Sequence, residues 1–246
     1  MVVVNNAYVR YIWELGNACC GLIPAPQIEY GPKRRVLLVH AHPLQESFST
    51  SLSIAVRDEL CSAGHEVRVR RLYLHDNREE CYNGKEFPAV MSSAEYTTYA
   101  DASSKRAKEV EEAINDLMWC NALVFVYPTW NFNFPAILKG YFDRVFLPQS
   151  VFSLPAPNTV GLPTFTGLHS HLSHIKKIGV VTTYGSSSHF ALYAGDNSRI
   201  FISRTLRSLC APRCQLVWDG MHCMDSSSDE RRRRFVDEVR MSYRHF

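Results

Sequence analysis

Three short segments carry most of the residue types that could do chemistry. Residues 40–49 read HAHPLQESFS, residues 128–132 read PTWNF, and residues 182–188 read TTYGSSS. In the first, the Ser47 and Ser49 hydroxyls and the unpaired main-chain N–H groups of a helix start favour an anion such as a phosphate. His42 adds a further donor, and simple N-capping by a serine is the plainer use of the same residues. The second segment sets Trp130 and Phe132 among Asn131 and Asn133. A flat heteroaromatic ligand needs one apolar wall for stacking and polar groups along its rim. A core position would more readily take an aliphatic residue, and the intervening asparagine would be hard to bury unsatisfied. The third segment is rich in Gly and Ser, so its N–H groups can approach a ligand closely and stabilise negative charge on it.

Such segments need a frame that brings them together. Each follows an apolar run of strand length: residues 36–40 (VLLVH), 122–127 (ALVFVY) and 178–182 (IGVVT). Uninterrupted apolar strands call for burial on both faces, as in a parallel sheet covered by helices. Helical spacing follows over 51–63, with Gly64 placed to end that helix in a left-handed conformation. Residues 66–71 alternate as an edge strand does. Residues 76–104 are polar and irregular, and a helix is predicted over 105–118. The next helix carries Phe134, Ile137, Leu138, Tyr141, Phe142 and Val145 on one stripe, with Asn133 as its cap and Pro135 in its first turn. A Pro-, Ser- and Gly-rich stretch over 148–174 has the length of a lid or binding loop. A helix over 200–209, a strand over 215–218 and a helix over 229–243 complete the alternation. The pattern predicts a five-stranded, doubly wound α/β domain over 35–246, preceded by an extension over 1–34. In such a sheet ligands bind outside the carboxyl ends of the strands, where the strand order reverses. All three segments leave carboxyl ends.

The totals narrow the function. The 246 residues suit one domain, and a net charge of +3 gives no argument for nucleic acid. The basic run Arg231–Arg234 reads as a solvated helix face. The eight cysteines are scattered and form no C-x-x-C, which fits a reducing, cytoplasmic setting better than a disulfide scaffold. His169, His171 and His174 lack a nearby cysteine or carboxylate and read as surface histidines rather than a metal site. No apolar run reaches the ~18 residues needed to span a bilayer. The first 35 residues lack the charged start and long apolar middle of a secretory signal, although they leave room for organelle targeting. Dinucleotide (G-x-G-x-x-G), triphosphatase (G-x-x-x-x-G-K-[ST]) and hydrolase (G-x-S-x-G) fingerprints are absent.

AHPLQESFS, YPTWNFNFPAILKGYFDRVF and GVVTTYGSS, in this order and spacing, together resemble the NAD(P)H:quinone oxidoreductases of the flavodoxin-like fold. The likeness covers residue 35 to the end. It implies a noncovalent flavin, FMN or FAD, reduced by NAD(P)H and reoxidised by a quinone or similar acceptor in a ping-pong cycle. It implies that His42, Ser47, Phe48 and Ser49 hold the phosphate and ribityl end. Pro128, Thr129, Trp130, Asn131 and Phe132 would line the isoalloxazine ring, and Thr182, Thr183, Tyr184 and Gly185 its pyrimidine edge. It also implies a homodimer. Where better-studied members carry a tyrosine and then a histidine that assist hydride delivery, this chain has Phe190 and Asp196. Tyr184 and His189 are therefore the catalytic candidates. An electron-carrier flavodoxin or a flavin-binding regulatory subunit is the alternative. Carriers are usually shorter and acidic, and the long 148–174 stretch favours the enzyme.

Overall fold

Alternate residues of the first strand, β1 (Arg35–His40), point to opposite faces of a sheet. Val36 and Leu38 join one buried cluster, Leu37 and Val39 another. A strand buried on both sides needs helices on both, and the chain supplies them in alternation. After β1 come α1 (Phe48–Ser62), β2 (Glu66–Arg71), α2 (Ser93–Thr98), α3 (Lys108–Trp119), β3 (Ala122–Pro128) and α4 (Ala136–Val145). Then follow β4 (Phe152–Ser153), β5 (His169–Ser170), β6 (Lys177–Thr183), α5 (Ser188–Tyr193), α6 (197–209), β7 (Gln215–Met221) and α7 (Asp229–Arg244). This computed structural model describes residues 32–98, 106–153 and 168–246.

Five strands make one parallel sheet in the order β2-β1-β3-β6-β7. This is the predicted doubly wound architecture. On one face, Leu52, Val56 and Leu60 of α1 and Phe235, Val239 and Tyr243 of α7 pack on Val36, Leu38 and Val124. On the other, α3, α4 and α6 bring Leu117, Leu138, Phe142 and Leu206 against Leu37, Leu123 and Phe125. Fully burying one such side chain contributes about 1.5–3 kcal/mol. The chain runs from β1 outward to β2 and then back across to β3, on the other side of β1. The connections after β1 and β3 therefore part in opposite directions, which opens a crevice between their carboxyl ends.

Local chemistry moved several boundaries. α1 starts at Phe48 rather than residue 51, because the Ser47 Oγ accepts the Thr50 N–H at 3.1 Å and caps the helix. Gly64 ends that helix at φ +82° as expected. Asn133 does not cap α4: its Oδ1 accepts the neighbouring Phe134 N–H at 2.8 Å. Pro135 sits extended at φ −53°, ψ 145°, so the helix begins only at Ala136. The residue before a proline is disfavoured in helical geometry, which keeps Phe134 out of the helix, and Pro135 itself takes the N-cap position. α5 was not foreseen; its signals are Ser187, which caps it, and Gly195 just beyond it. α6 starts at Asn197 and contains a π-helical stretch, Phe201–Leu206. The ends of the expected 148–174 loop form an antiparallel pair, β4 with β5. Its centre, and residues 1–31 of the expected extension, lie outside the described residues.

Candidate functional site

The sheet register brings the three segments to one edge. His40 lies opposite Val126, and Pro128 opposite Thr183. The Ala41 N–H donates to the Val126 carbonyl (3.0 Å), the Thr129 N–H to the Thr183 carbonyl (2.8 Å) and the Tyr184 N–H to the Met221 carbonyl (2.7 Å). The Thr129 and Thr182 hydroxyl oxygens are 3.0 Å apart. The loops after β1, β3 and β6 are thus laced together at the carboxyl end of the sheet, beside the switch between β1 and β3.

In the first loop the capping use read from it is seen, and main-chain donors are left over. Ser47 is a cap, and its hydroxyl also meets that of Thr50 at 2.9 Å. The Phe48 and Ser49 N–H groups, in the first turn of α1, have no acceptor among the described residues. Ser49 is buried, and its hydroxyl turns back toward His40 Nε2 at 3.4 Å, so its main chain and not its side chain is presented. His42 Nδ1 accepts the Leu44 N–H at 3.1 Å, and the His75 Nε2–H donates to the His42 carbonyl at 2.9 Å. Burial above all lowers the pKa of both His40 and His42, with Arg71 next for His40. Both rings are therefore neutral at neutral pH; with Nδ1 of His42 accepting from Leu44, its N–H lies on Nε2, so the donors at this loop are that N–H and the main-chain groups at the positive end of the α1 dipole. Beside this loop lies a cavity of about 350 Å³ lined by Pro43, Gln45, Leu74, His75, Asp76 and Arg78.

The second loop is a two-residue turn. Trp130 and Asn133 exchange both main-chain hydrogen bonds, at 3.0 and 2.9 Å. Between them, Asn131 and Phe132 have φ +49° and +59°, the geometry of a primed hairpin turn. Asparagine tolerates this; a phenylalanine there costs roughly 1–2 kcal/mol. Trp130 is 40% exposed, edge-on to His42 at 6.5 Å between ring centres. Phe132 packs on Phe190 at 5.4 Å. The turn therefore holds two aromatic rings at the rim of the sheet edge instead of sending them into the core.

The third loop is pinned from behind. The Met224 N–H donates to the Tyr184 carbonyl and the Cys223 N–H to the Ser186 carbonyl, both at 2.9 Å. The Gly185 and Ser186 N–H groups have no acceptor among the described residues. Tyr184 is 2% exposed; its hydroxyl donates to Asp196 Oδ1 at 3.0 Å and its ring stacks on His222 at 4.2 Å. Its side chain thus faces inward while its main chain faces the edge. His189 is exposed on α5. Burial first, then Asp196, raises the Tyr184 pKa, so the phenol stays protonated. Sequence reasoning did not include His222 in the site. The signal was available, because the rule that strand ends line the site applies to β7 as well.

The histidine-rich segment has other partners. His171 Nδ1 contacts the Ser150 carbonyl at 3.3 Å and His174 Nε2 the Leu117 carbonyl at 3.2 Å. Among the described residues no three His, Cys, Asp or Glu side chains are grouped to hold a metal. No helix among the described residues is long and apolar enough to cross a membrane.

Comparison with known proteins agrees with this fold. The family described as having a flavodoxin-like fold matches residues 34–209. The human ribosyldihydronicotinamide dehydrogenase [quinone] is 31% identical over 135 residues, covering 52% of this chain and 58% of that protein. The ribosyldihydronicotinamide dehydrogenase-like protein traD of Penicillium crustosum is 33% identical over 119 residues, covering 46% and 43%. The chain spans about half the length of the curated relatives it matches. An NAD(P)H:quinone oxidoreductase structure from Methanothermobacter marburgensis superposes with a TM-score of 0.65 at 23% identity, covering 87% of this chain and 96% of that one. That likeness speaks for the fold. With five parallel strands in the 2-1-3-6-7 order and a family match spanning most of the sheet, the chain belongs to the flavodoxin-like-fold family.

Proposed function

We propose that this protein is a flavin-dependent oxidoreductase that takes hydride from NAD(P)H and reduces a quinone or similar acceptor. The observation that carries the reading is the convergence of three loops at one sheet edge, each offering a different kind of contact. The first offers the free Phe48 and Ser49 N–H groups to a phosphate, the second the exposed Trp130 ring and Phe132 to a flat surface, and the third the free Gly185 and Ser186 N–H groups to a polar rim. A planar, phosphorylated, electron-accepting ring fits that set. A bound flavin supplies the two-electron chemistry, and the chain supplies orientation and electrostatics. Trp130 and Phe132 limit the ring's position, the α1 dipole holds the anionic end, and the main-chain donors of residues 185 and 186 favour added negative charge without a fixed cation. Relatives support the class. One from Bacillus pumilus, 27% identical over 135 residues, is named FMN-dependent NADH:quinone oxidoreductase. The rim aromatics Trp130, Phe190 and Tyr193, all exposed, suit cover by a second copy of the chain, as in a homodimer.

Two measurements on the purified protein test this. Heat-released flavin is identified by mass as FMN or FAD, and NADH and NADPH oxidation is followed with and without menadione. Turnover that depends on menadione is the expected result. A yellow protein that NADPH reduces but menadione does not reoxidise would make it an electron carrier. A colourless protein that takes up neither flavin overturns the proposal.

A further inference from the structure

Asp196 departs from ordinary residue preferences in two ways. It is 8% exposed although it carries a carboxylate, and it sits at φ +39°, ψ 56°, in the left-handed region that non-glycine residues seldom occupy. It follows Gly195, itself at φ +100°, at the junction of α5 and α6. Strained backbone of this kind persists where the surrounding structure over-determines it, and it concentrates at functional sites. What the Asp196 carboxylate does there is accept the Tyr184 hydroxyl at 3.0 Å. The next residue, Asn197, reaches the second loop, its Nδ2 donating to the Phe132 carbonyl at 3.5 Å. One junction therefore braces two of the three site loops from behind.

The Tyr184 ring is fitted to the same end. It lies flat on His222, and Gly220 leaves room for it: a Cβ there would come within 3.1 Å of Tyr184 Cε2. The main chain of Tyr184 is held on both sides, by the Met221 carbonyl and the Met224 N–H. Fixing the ring and its hydroxyl thus fixes the peptide that carries the free Gly185 and Ser186 donors.

We propose that Asp196 is a positioning residue: by accepting the Tyr184 hydroxyl it locks the third loop so that the Gly185 and Ser186 N–H groups stay directed at the ligand edge. Asp196 then acts through Tyr184 and touches no ligand. The ligand half of this statement rests on the flavin reading above; the lock itself does not.

The test uses Asp196→Asn, Asp196→Ala, Tyr184→Phe and the Tyr184→Phe/Asp196→Ala double variant. The first readout is amide hydrogen exchange without added flavin. Exchange at Tyr184, Cys223 and Met224 is expected to rise at least tenfold in Asp196→Ala and Tyr184→Phe. It should stay within about threefold of wild type in Asp196→Asn, whose amide oxygen still accepts the hydroxyl. The double variant should be no worse than the worse single, because both remove the same bond. Unchanged exchange in both singles, or an Asp196→Asn variant as loose as Asp196→Ala, overturns the lock. The second readout is flavin affinity by fluorescence quenching, expected to weaken about tenfold in the same two singles and to be rescued in Asp196→Asn. Loosened exchange with unchanged affinity overturns the ligand half alone, whereas a wild-type protein that binds no flavin counts against the functional proposal and leaves the exchange result to decide the lock. Should Asp196→Ala not fold, Tyr184→Phe, which keeps the ring on His222, carries both readouts.

Discussion

The second and third loops leave neighbouring strands at paired positions, Pro128 and Thr183, yet they are built in opposite ways. The second presents side chains: Trp130 and Phe132 stand at the rim on a turn held by two main-chain bonds, with two residues at positive φ. The third presents main chain: Tyr184 turns its side chain inward to Asp196 and His222, and three hydrogen bonds to residues 221–224 pin its peptides. One makes a surface and the other an edge. On the proposed function, the contrast would match exposure and rigidity to the kind of contact each loop makes. A stacking wall needs exposed area, whereas a donor array needs fixed direction.

Four variants break or sharpen this contrast. Phe125→Ala, in the middle of β3 and packed on Phe142 at 5.3 Å, strikes the frame that both loops share. Urea denaturation is expected to show a loss of about 3–5 kcal/mol, and a much smaller loss would mean that the sheet repacks freely beneath the loops. Asp219→Asn tests the frame in the other direction. Burial pushes the Asp219 carboxyl up from 3.8 to about 6, and its Oδ2 has no hydrogen-bond partner among the described residues. Its folded pKa exceeds its unfolded one, so stability falls as pH rises from 3.8 to about 6 and is lowest above that. The asparagine variant is therefore expected to be more stable at pH 7 by about 2 kcal/mol, with a flatter pH profile and no change at the loops. A less stable variant at pH 7 would contradict it.

Trp130→Ala separates surface from edge. Removing an exposed ring from a wall should weaken flavin binding about tenfold, ~1.4 kcal/mol, with little change in melting temperature. Equal binding by wild type and variant would deny the second loop its stacking role. The smallest effect is expected from Phe132→Gly. Glycine relieves the left-handed strain at φ +59° but gives up the Phe190 contact. The net change in stability should lie within about 1 kcal/mol of zero while acceptor turnover falls. A loss well beyond that by thermal denaturation would show that Phe132 is held for packing and not for the site.

Much of this was legible from local chemistry. The apolar runs beginning at residues 36, 122 and 178 read as buried strands, because they are short and leave no polar face. The three loops could be named from their position behind those runs. Ser47 as a cap and Gly64 at a positive φ follow from side-chain and backbone preferences that need no distant partner. Failures came where a neighbour in sequence competes, as at Asn133, whose amide finds the adjacent N–H before any helix start.

By itself, then, the sequence determined the alternation of the five main strands with their covering helices, though not α2, α5 or the β4–β5 pair, together with the two-sided burial of the central strands and the residue types of each loop, since these depend on periodicity and composition. The tertiary structure alone decided which way each side chain in those loops faces. Tyr184, read from the sequence as a catalytic candidate at the ligand edge, has a buried side chain whose hydroxyl donates to Asp196. Its partner Asp196 lies twelve residues on, and His222 arrives with a different strand. Such a choice between inward and outward rests on contacts between segments remote in the chain, and no local pattern encodes them.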